Sequence, residues 1–184
     1  MKNDTVKMLM VPLKEYATVS QEADLHEAIH ALEDAQKAFD PSKHKHRAIL
    51  VLNKDGDVVG KISMFDILMA LEPKYEELEA TGALSQSGYN PEFIKALFKD
   101  NLLWNEPLQF VCNRASRLRV SEIMEVPQDG VYIHEDATLD EAMHQLIVCR
   151  YHSLIVTGNE KAVGILRLTD VFSRICEKIK TCAP

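Results

Sequence analysis

Apolar and polar positions along this chain switch between a period of two and a period of about 3.6, and they do so in the same order twice. Residues 17–19 read as a short extended stretch, and residues 20–24 carry helix-start signals. Residues 25–39, LHEAIHALEDAQKAF, place Leu25, Ala28, Ile29 and Leu32 on one helical face. Asp40-Pro41 stops that helix, and residues 40–46 form a polar loop. AILVL (48–52) is a continuous apolar run of strand length, the pattern of a strand buried on both faces. NKDGD (53–57) contains the hairpin signal Asp55-Gly56, VVGKIS (58–63) is the returning strand, and MFDILMALE (64–72) is a helix ended by Pro73. The second half repeats the series: an extended stretch at 131–133, a helix over 136–149, a strand at 153–156, a turn at 157–161, a strand at 162–168 and a helix over 169–180.

The repetition holds residue by residue. Leu25, Glu27, Ala28, His30 and Leu32 recur 114 positions later as Leu139, Glu141, Ala142, His144 and Leu146. Val59, Gly60, Ile62, Asp66 and Ile67 recur 104 positions later as Val163, Gly164, Leu166, Asp170 and Val171. The change of offset means that the first copy carries ten extra residues between its helix and its middle strand, a segment containing Lys43, His44, Lys45, His46 and Arg47. Repetition of this kind marks a duplicated structural unit, and two packed copies create paired clefts. The chain divides into a first repeat (1–72), a helical connection (73–119) and a second repeat (120–184). Within the connection, 79–90 is loop-like. Residues 90–104 read as a helix with Asn90 as N-cap, Pro91 at its first position and an apolar stripe of Phe93, Ile94, Leu97, Phe98 and Leu102. A second helix is expected over 107–118.

The V-G-x-x-x-x-x-D phrase that closes each copy, together with VPLKEYATV (11–19), AILVLNKDGDVVGKISMFDIL (48–68) and AVGILRLTDVF (162–172), resembles the cystathionine-β-synthase (CBS) domain pair, or Bateman module. The resemblance covers residues 6–72 and 120–180. It implies an α/β (α+β) fold of two β-α-β-β-α repeats related by a pseudo-twofold axis, with two clefts between them. In such families the clefts hold adenosine-containing ligands: AMP, ADP, ATP or S-adenosylmethionine. A Ser or Thr three residues after the motif Gly and an Asp six after it approach the ribose and phosphate. Gly60, Ser63 and Asp66 match that pattern. Gly164 and Asp170 match it in the second copy, but Arg167 stands where Ser or Thr is expected, with Thr169 beside the Asp as a partial substitute. The altered motif implies either an empty site or one in which Arg167 reaches a phosphate. The resemblance also implies that Arg47 and Lys45 meet phosphates, and that Ala17, Thr18, Ala48, Val131, Tyr132 and His152 enclose the base. It further implies a homodimer.

The residues support two readings of the first motif. A carboxylate in the first turn of a helix can accept from both hydroxyls of a ribose, and the helix N-terminus suits a phosphate. Ser63-x-x-Asp66 is equally a capping box, which stabilises the helix without any ligand. The two roles can coexist. Arg150, Tyr151 and His152 occupy the matching edge of the second copy, where a ring could stack on adenine or pack in the core.

Composition narrows the function. The chain has 184 residues, 46% of them apolar and 27% charged, which suffices for a substantial core without crosslinks. A net charge of −7 argues against nucleic acid or an anionic membrane as the main partner. No apolar run approaches about 18 residues, and the four cysteines are not in CxxC spacing, so a cytoplasmic, reduced setting is expected. Cys149 and Cys176 are expected as small core side chains, and Cys182 as an exposed thiol. His26 and His30 stand at i, i+4 without a third ligand and read as a solvated helix face, so no metal is expected. No HExxH, P-loop or Gly-x-Ser-x-Gly motif appears, so no catalytic residues are assigned. The expectation is a non-enzymatic sensor that needs no cofactor, binds an adenine nucleotide or S-adenosylmethionine as a regulatory ligand and acts on an effector protein. The alternative is a ligand-free dimeric scaffold that acts through the helices of 73–119.

Overall fold

The computed structural model describes residues 4–41, 43–80 and 91–181. The first repeat contributes β1 (Val11–Pro12), β2 (Thr18–Ser20), α1 (Leu25–Ala38), β3 (Ala48–Leu52), β4 (Val58–Ser63) and α2 (Met64–Leu71). The connection forms α3 (Lys74–Ala80), α4 (Pro91–Asp100) and α5 (Leu108–Ala115). The second repeat contributes α6 (Val120–Ile123), β5 (Tyr132–His134), α7 (Leu139–Cys149), β6 (Ser153–Gly158), β7 (Lys161–Arg167) and α8 (Leu168–Thr181).

The same local devices build both copies. Asp24 caps α1 and Thr138 caps α7, each accepting from the backbone N–H of a Glu three residues on (2.8 and 3.3 Å) while that Glu returns a bond to the cap's own N–H (2.9 and 2.8 Å). In the β3–β4 turn the Asn53 side chain accepts from the N–H groups of Asp55 and Asp57, both at 2.9 Å, and Gly56 takes the left-handed conformation at φ +83°. In each copy the first strand runs parallel to the middle strand, which pairs antiparallel with the last: β2-β3-β4 and β5-β6-β7.

The lead-in segments exchange between the copies. β1 joins the second sheet, with Val11 opposite Ile165 and Pro12 opposite Gly164. Thr5 bridges Thr138, and Val6 is fully buried among Leu139, Leu146 and Leu166. Reciprocally, Arg119 bridges Asp24, Glu125 bridges Lys61, and Val120 is fully buried among Leu25, Ile49 and Ile62. The linear division at 72 and 120 is therefore crossed twice, and each core is completed by the other copy's lead-in. This explains both motif glycines. A Cβ on Gly164 would lie 2.5 Å from the Val11 carbonyl oxygen, and one on Gly60 would collide with the Met124 side chain. A third cluster, including Tyr16, Phe39, Leu50, Val131, Ile155 and Ile165, packs between the sheets.

Several elements differ from the sequence expectation. Pro73 ends α2, but α3 begins at the next residue, Lys74. The helix expected over 90–104 ends at Asp100, because Leu102 and Trp104 adopt positive φ (49° and 56°) and turn the chain back. The buried Glu72 carboxylate receives the Trp104 N–H at 2.6 Å, and Arg114 donates to the Leu71 carbonyl at 2.5 Å, which fastens the connection to the end of α2. Ile94, Phe98 and Leu102 of the expected stripe are exposed, and Leu103 is buried in place of Leu102. Of the loop expected over 79–90, Glu79 and Ala80 are instead the last residues of α3, and the rest, with the proposed N-cap Asn90, lies outside the described residues. α5 is shorter than the expected 107–118. Cys149 is exposed and Cys176 half-buried, contrary to the expectation of core side chains, because both lie on the outward faces of α7 and α8; Cys182 lies outside the described residues.

Candidate functional site

Strand register defines equivalent positions in the two clefts. Ala48 pairs with Ser63 as Ser153 pairs with Arg167. The first N–H of α2 donates to the Arg47 carbonyl (3.2 Å), as that of α8 donates to His152 (2.9 Å). Thr18 pairs with Leu50 as Tyr132 pairs with Ile155. It follows that Ser63 corresponds to Arg167, Arg47 to His152, His46 to Tyr151, Ala17 to Val131 and Tyr16 to Gly130.

The first cleft lies between β4 and the lead-in of the second repeat. It is a cavity of about 160 Å³ lined by Lys61, Glu125, Pro127, Val131, Tyr151 and Ile155. Lys61 Nζ pairs with Glu125 at 3.1 Å, and the Lys61 side chain is largely buried. Lys61 and Ser63 are two residues apart on β4 and share a face, so Ser63 continues the cavity wall towards α2. There the capping box is formed: Asp66 Oδ2 accepts from Ser63 N–H (2.7 Å) and Oγ (2.8 Å), and Asp66 N–H donates to Ser63 Oγ (3.2 Å). Oδ1 takes no part in the box. Arg47, whose carbonyl accepts the first N–H of α2, is exposed near this edge, Ala48 is buried beside Ser63, and Lys45 is exposed between His44 and His46. Val131 lines the cavity, Tyr132 follows it on β5, and His152 is exposed at the start of β6.

The second cleft is arranged differently. Arg167 is buried and donates Nε to Oδ2 (2.5 Å) and Nη2 to Oδ1 (2.7 Å) of Asp170. Its Nη1 donates to the His44 carbonyl at 2.6 Å, and its guanidinium lies 5.4 Å from the Phe39 ring centroid. His46 is fully buried, with its ring 4.4 Å from Tyr16 and 4.3 Å from Phe39. Burial first, then the Arg167 charge, hold the His46 pKa below its ordinary value. His46 Nε2 makes no hydrogen bond of good geometry, although the Glu15 carbonyl slightly favours the protonated ring. Burial pushes the Tyr16 hydroxyl up to about 12. Thr169 is half-buried beside Asp170. Ala17 is buried, and its carbonyl accepts from Leu50 N–H at 2.9 Å. Outside the Arg167–Asp170 pair runs a groove of about 410 Å³ that also touches Asp4, Met10, Lys43 and Arg174.

Of the predicted residues, Val131 lines the first cleft, with Tyr132 after it and Ser63 and Asp66 continuing its wall. Arg47 and Ala48 stand at the start of β3 beside Ser63, His152 stands at the equivalent place beside Arg167, and Lys45 is exposed between His44 and His46. Arg167, Thr169, Asp170, Ala17 and Thr18 belong to the second cleft. Lys61, Glu125 and Pro127 were missed, as were Tyr16 and Phe39. Lys61 was findable from the two-residue strand period ending at Ser63; Glu125 was not, because its position depends on the exchanged lead-in. A recess of about 560 Å³ is a shallow face of α7 bordered by Asp140, His144 and Val148 and holds none of the predicted residues. His26 and His30 are exposed with Nε2 atoms 3.3 Å apart, and among the described residues no group of three or more His, Cys, Asp or Glu side chains is placed to hold a metal. No helix among them is long and apolar enough to cross a membrane.

Two sheets of one topology, exchanged lead-ins and paired inter-sheet clefts define a tandem repeat module. The sequence model of the CBS domain matches residues 6–73 and 120–177, and the chain belongs to the CBS domain family as a CBS pair. A comparison with curated proteins finds no match. Among solved structures, CBSX2 in complex with AMP is 20% identical, with 96% of this chain and 98% of that one covered and a TM-score of 0.59. The structure described as the CBS-pair protein CBSX2 from Arabidopsis thaliana is 19% identical, with coverage of 97% and 98% and a TM-score of 0.60. A CBS domain-containing protein of unknown function from Bacillus anthracis is also 19% identical, with coverage of 96% and 95% and a TM-score of 0.61. These likenesses establish the fold.

Proposed function

We propose that this CBS pair is a non-enzymatic regulatory module that binds an adenosine-containing ligand in its first cleft. The observation that carries the reading is the continuity of the Lys61–Val131–Tyr151 cavity with the Ser63–Asp66 box on the same face of β4. The cavity, about 160 Å³, is smaller than the roughly 300 Å³ at which whole-ligand sites begin. A purine base therefore enters it, between Tyr151 and the aliphatic stem of Lys61. The ribose hydroxyls then meet Asp66 at the N-terminus of α2, and phosphates extend outward towards Arg47, Lys45 and His152. The AMP complex of a relative with the same fold supports an adenine nucleotide over other ligands of this size. A ligand bridging β4 and the second lead-in contacts both repeats, so its differential affinity for two packings of the repeats supplies the signal to an effector. Exposed Phe65 and Leu68 of α2 and Phe172 and Ile179 of α8 support a homodimer.

Calorimetry with AMP, ATP and S-adenosylmethionine tests this. Asp66→Asn keeps the side-chain shape but loses the charge, and binding is expected to weaken ten- to a hundredfold, from about 1.5–3 kcal/mol of charge-assisted hydrogen bonding. Unchanged affinity would remove Asp66 from the site. A scaffold reading is favoured by one observation, the exposed Ile94, Phe98, Leu102 and Phe110 of the connection. It predicts no thermal shift with any nucleotide at about a hundred times a micromolar dissociation constant, where a ligand would add about 2.7 kcal/mol.

A further inference from the structure

We infer that the second cleft is filled by the chain's own side chains, so that each chain offers one nucleotide site, with Arg167 and Tyr16 as the residues that set the asymmetry. The inference builds on the reading of the first cleft but concerns the other one. Register gives the argument its control, because Arg167 and Tyr16 each stand where the first cleft has a small residue, while His46 stands where it has Tyr151. Arg167 stands where the first cleft has Ser63, and Tyr16 where it has Gly130. Phe39 follows α1, a helix of 14 residues against 11 in α7, at the start of the segment the second copy lacks.

The chemistry of the second cleft is also already satisfied. A ribose needs the free oxygens of the motif carboxylate, and both oxygens of Asp170 are taken by one guanidinium at 2.5 and 2.7 Å. A phosphate needs the guanidinium, and each of its three nitrogens is engaged: Nε and Nη2 by Asp170, and Nη1 by the His44 carbonyl, with His46 Nδ1 3.5 Å away. A base needs the space under the middle strand, and His46 is packed there between Tyr16 and Phe39 with no exposed surface. The outer groove offers no substitute, because Asp4 there is buried and already holds Arg174 (3.1 Å) and Lys178 (2.6 Å). His44 Nε2 lies 2.9 Å from Ser173 Oγ, which adds a second tie from the inserted segment to α8. The raised Tyr16 and lowered His46 pKa values agree with a dry, closed pocket.

Equilibrium binding of AMP and ATP to the full chain tests the inference through stoichiometry. Three proteins are compared: wild type, Asp66→Asn, and Arg167→Ser combined with Tyr16→Gly, with Arg167→Ser combined with Phe39→Ala as a milder opening should the first not keep its far-UV circular dichroism. One equivalent per wild-type chain, one bound ten- to a hundredfold more weakly to Asp66→Asn, and a second equivalent to a folded opened variant are expected. Two equivalents to wild type would place a ligand in the second cleft and overturn the inference. A folded opened variant without a second equivalent would overturn the assignment of the fillers. Should neither opened variant fold, the wild-type stoichiometry decides alone. Absence of binding to wild type would sink the proposed function instead, and a site gained by opening would still uphold the closure.

Discussion

Replacing Arg167 by Met is the most searching test of how the repeats are joined. Met keeps an aliphatic stem against Phe39 and removes every bond the guanidinium makes. The side chains of Arg167 and Asp170 are 7% and 15% exposed, so solvent screens the pair little. Removing one partner of such a pair leaves a buried charge uncompensated, at about 3–5 kcal/mol. Asp170 lies in the first turn of α8, and the helix dipole returns about 0.5 kcal/mol of that. The His44 carbonyl loses its donor as well, a further loss of about 1 kcal/mol. The expected destabilisation is about 3.5–5.5 kcal/mol. With a urea m-value of about 2–3 kcal/mol/M for a domain of this size, the midpoint falls by about 1–3 M. Asp170→Asn should cost less, because Arg167 keeps the His44 carbonyl. The double variant should be more stable than the sum of the two losses predicts, by at least about 1.5 kcal/mol. A loss below about 1 kcal/mol for Arg167→Met, with additive behaviour in the cycle, would mean that the pair acts as a solvated surface bridge and that the second cleft is open.

Four further outcomes follow from the same geometry. The pKa of His46 is depressed in the folded state, by burial and then by Arg167, so the unfolded chain binds its proton first: stability is full above about pH 6.5 and falls as pH drops below it. His46→Phe should flatten urea midpoints measured between about pH 5 and 6.5, and an unchanged slope would contradict the buried, neutral ring. Tyr16 is shifted the other way, so its contribution is present below pH 10 and is lost as pH rises towards 12; Tyr16→Phe should abolish that alkaline loss, and equal losses in both proteins would show an exposed hydroxyl. Val6 and Val120 are each fully buried in the other repeat's core, so Val6→Ala should cost about 1.5–2.5 kcal/mol and lower hydrogen-exchange protection in β6 and β7 before β3 and β4; loss confined to β3 and β4 would refute the exchange of lead-ins. Phe65→Asp with Phe172→Asp should convert a dimer to a monomer in sedimentation, and a wild-type monomer at tens of micromolar would remove the apolar face of α2 and α8 as an interface.

What the sequence revealed and what it hid divide along the range of the interactions involved. The helices capped by Asp24 and Thr138 and the Asp55-Gly56 turn are written in neighbouring residues, and the duplicated pattern exposed them directly. The exchange of lead-ins is not local. Val11 reaches Gly164 and Glu125 reaches Lys61 across more than sixty residues, and nothing in the period of either stretch distinguishes pairing with its own sheet from pairing with the other. The motif glycines could be read only as family marks until that crossing supplied the atoms a Cβ would strike. The substitution of Ser63 by Arg167 was visible, but its meaning was not. A guanidinium at that position serves a bound phosphate or its own carboxylate according to what else the cleft contains. That depended on a ten-residue insertion whose own sequence, basic and polar, looked like a phosphate lure. The structure places the His44 carbonyl and the rings of Phe39 and His46 around Arg167 instead. A positive loop and an altered motif, which separately suggested more ligand chemistry, together amount to less: the charge that marked the second cleft is consumed in closing it.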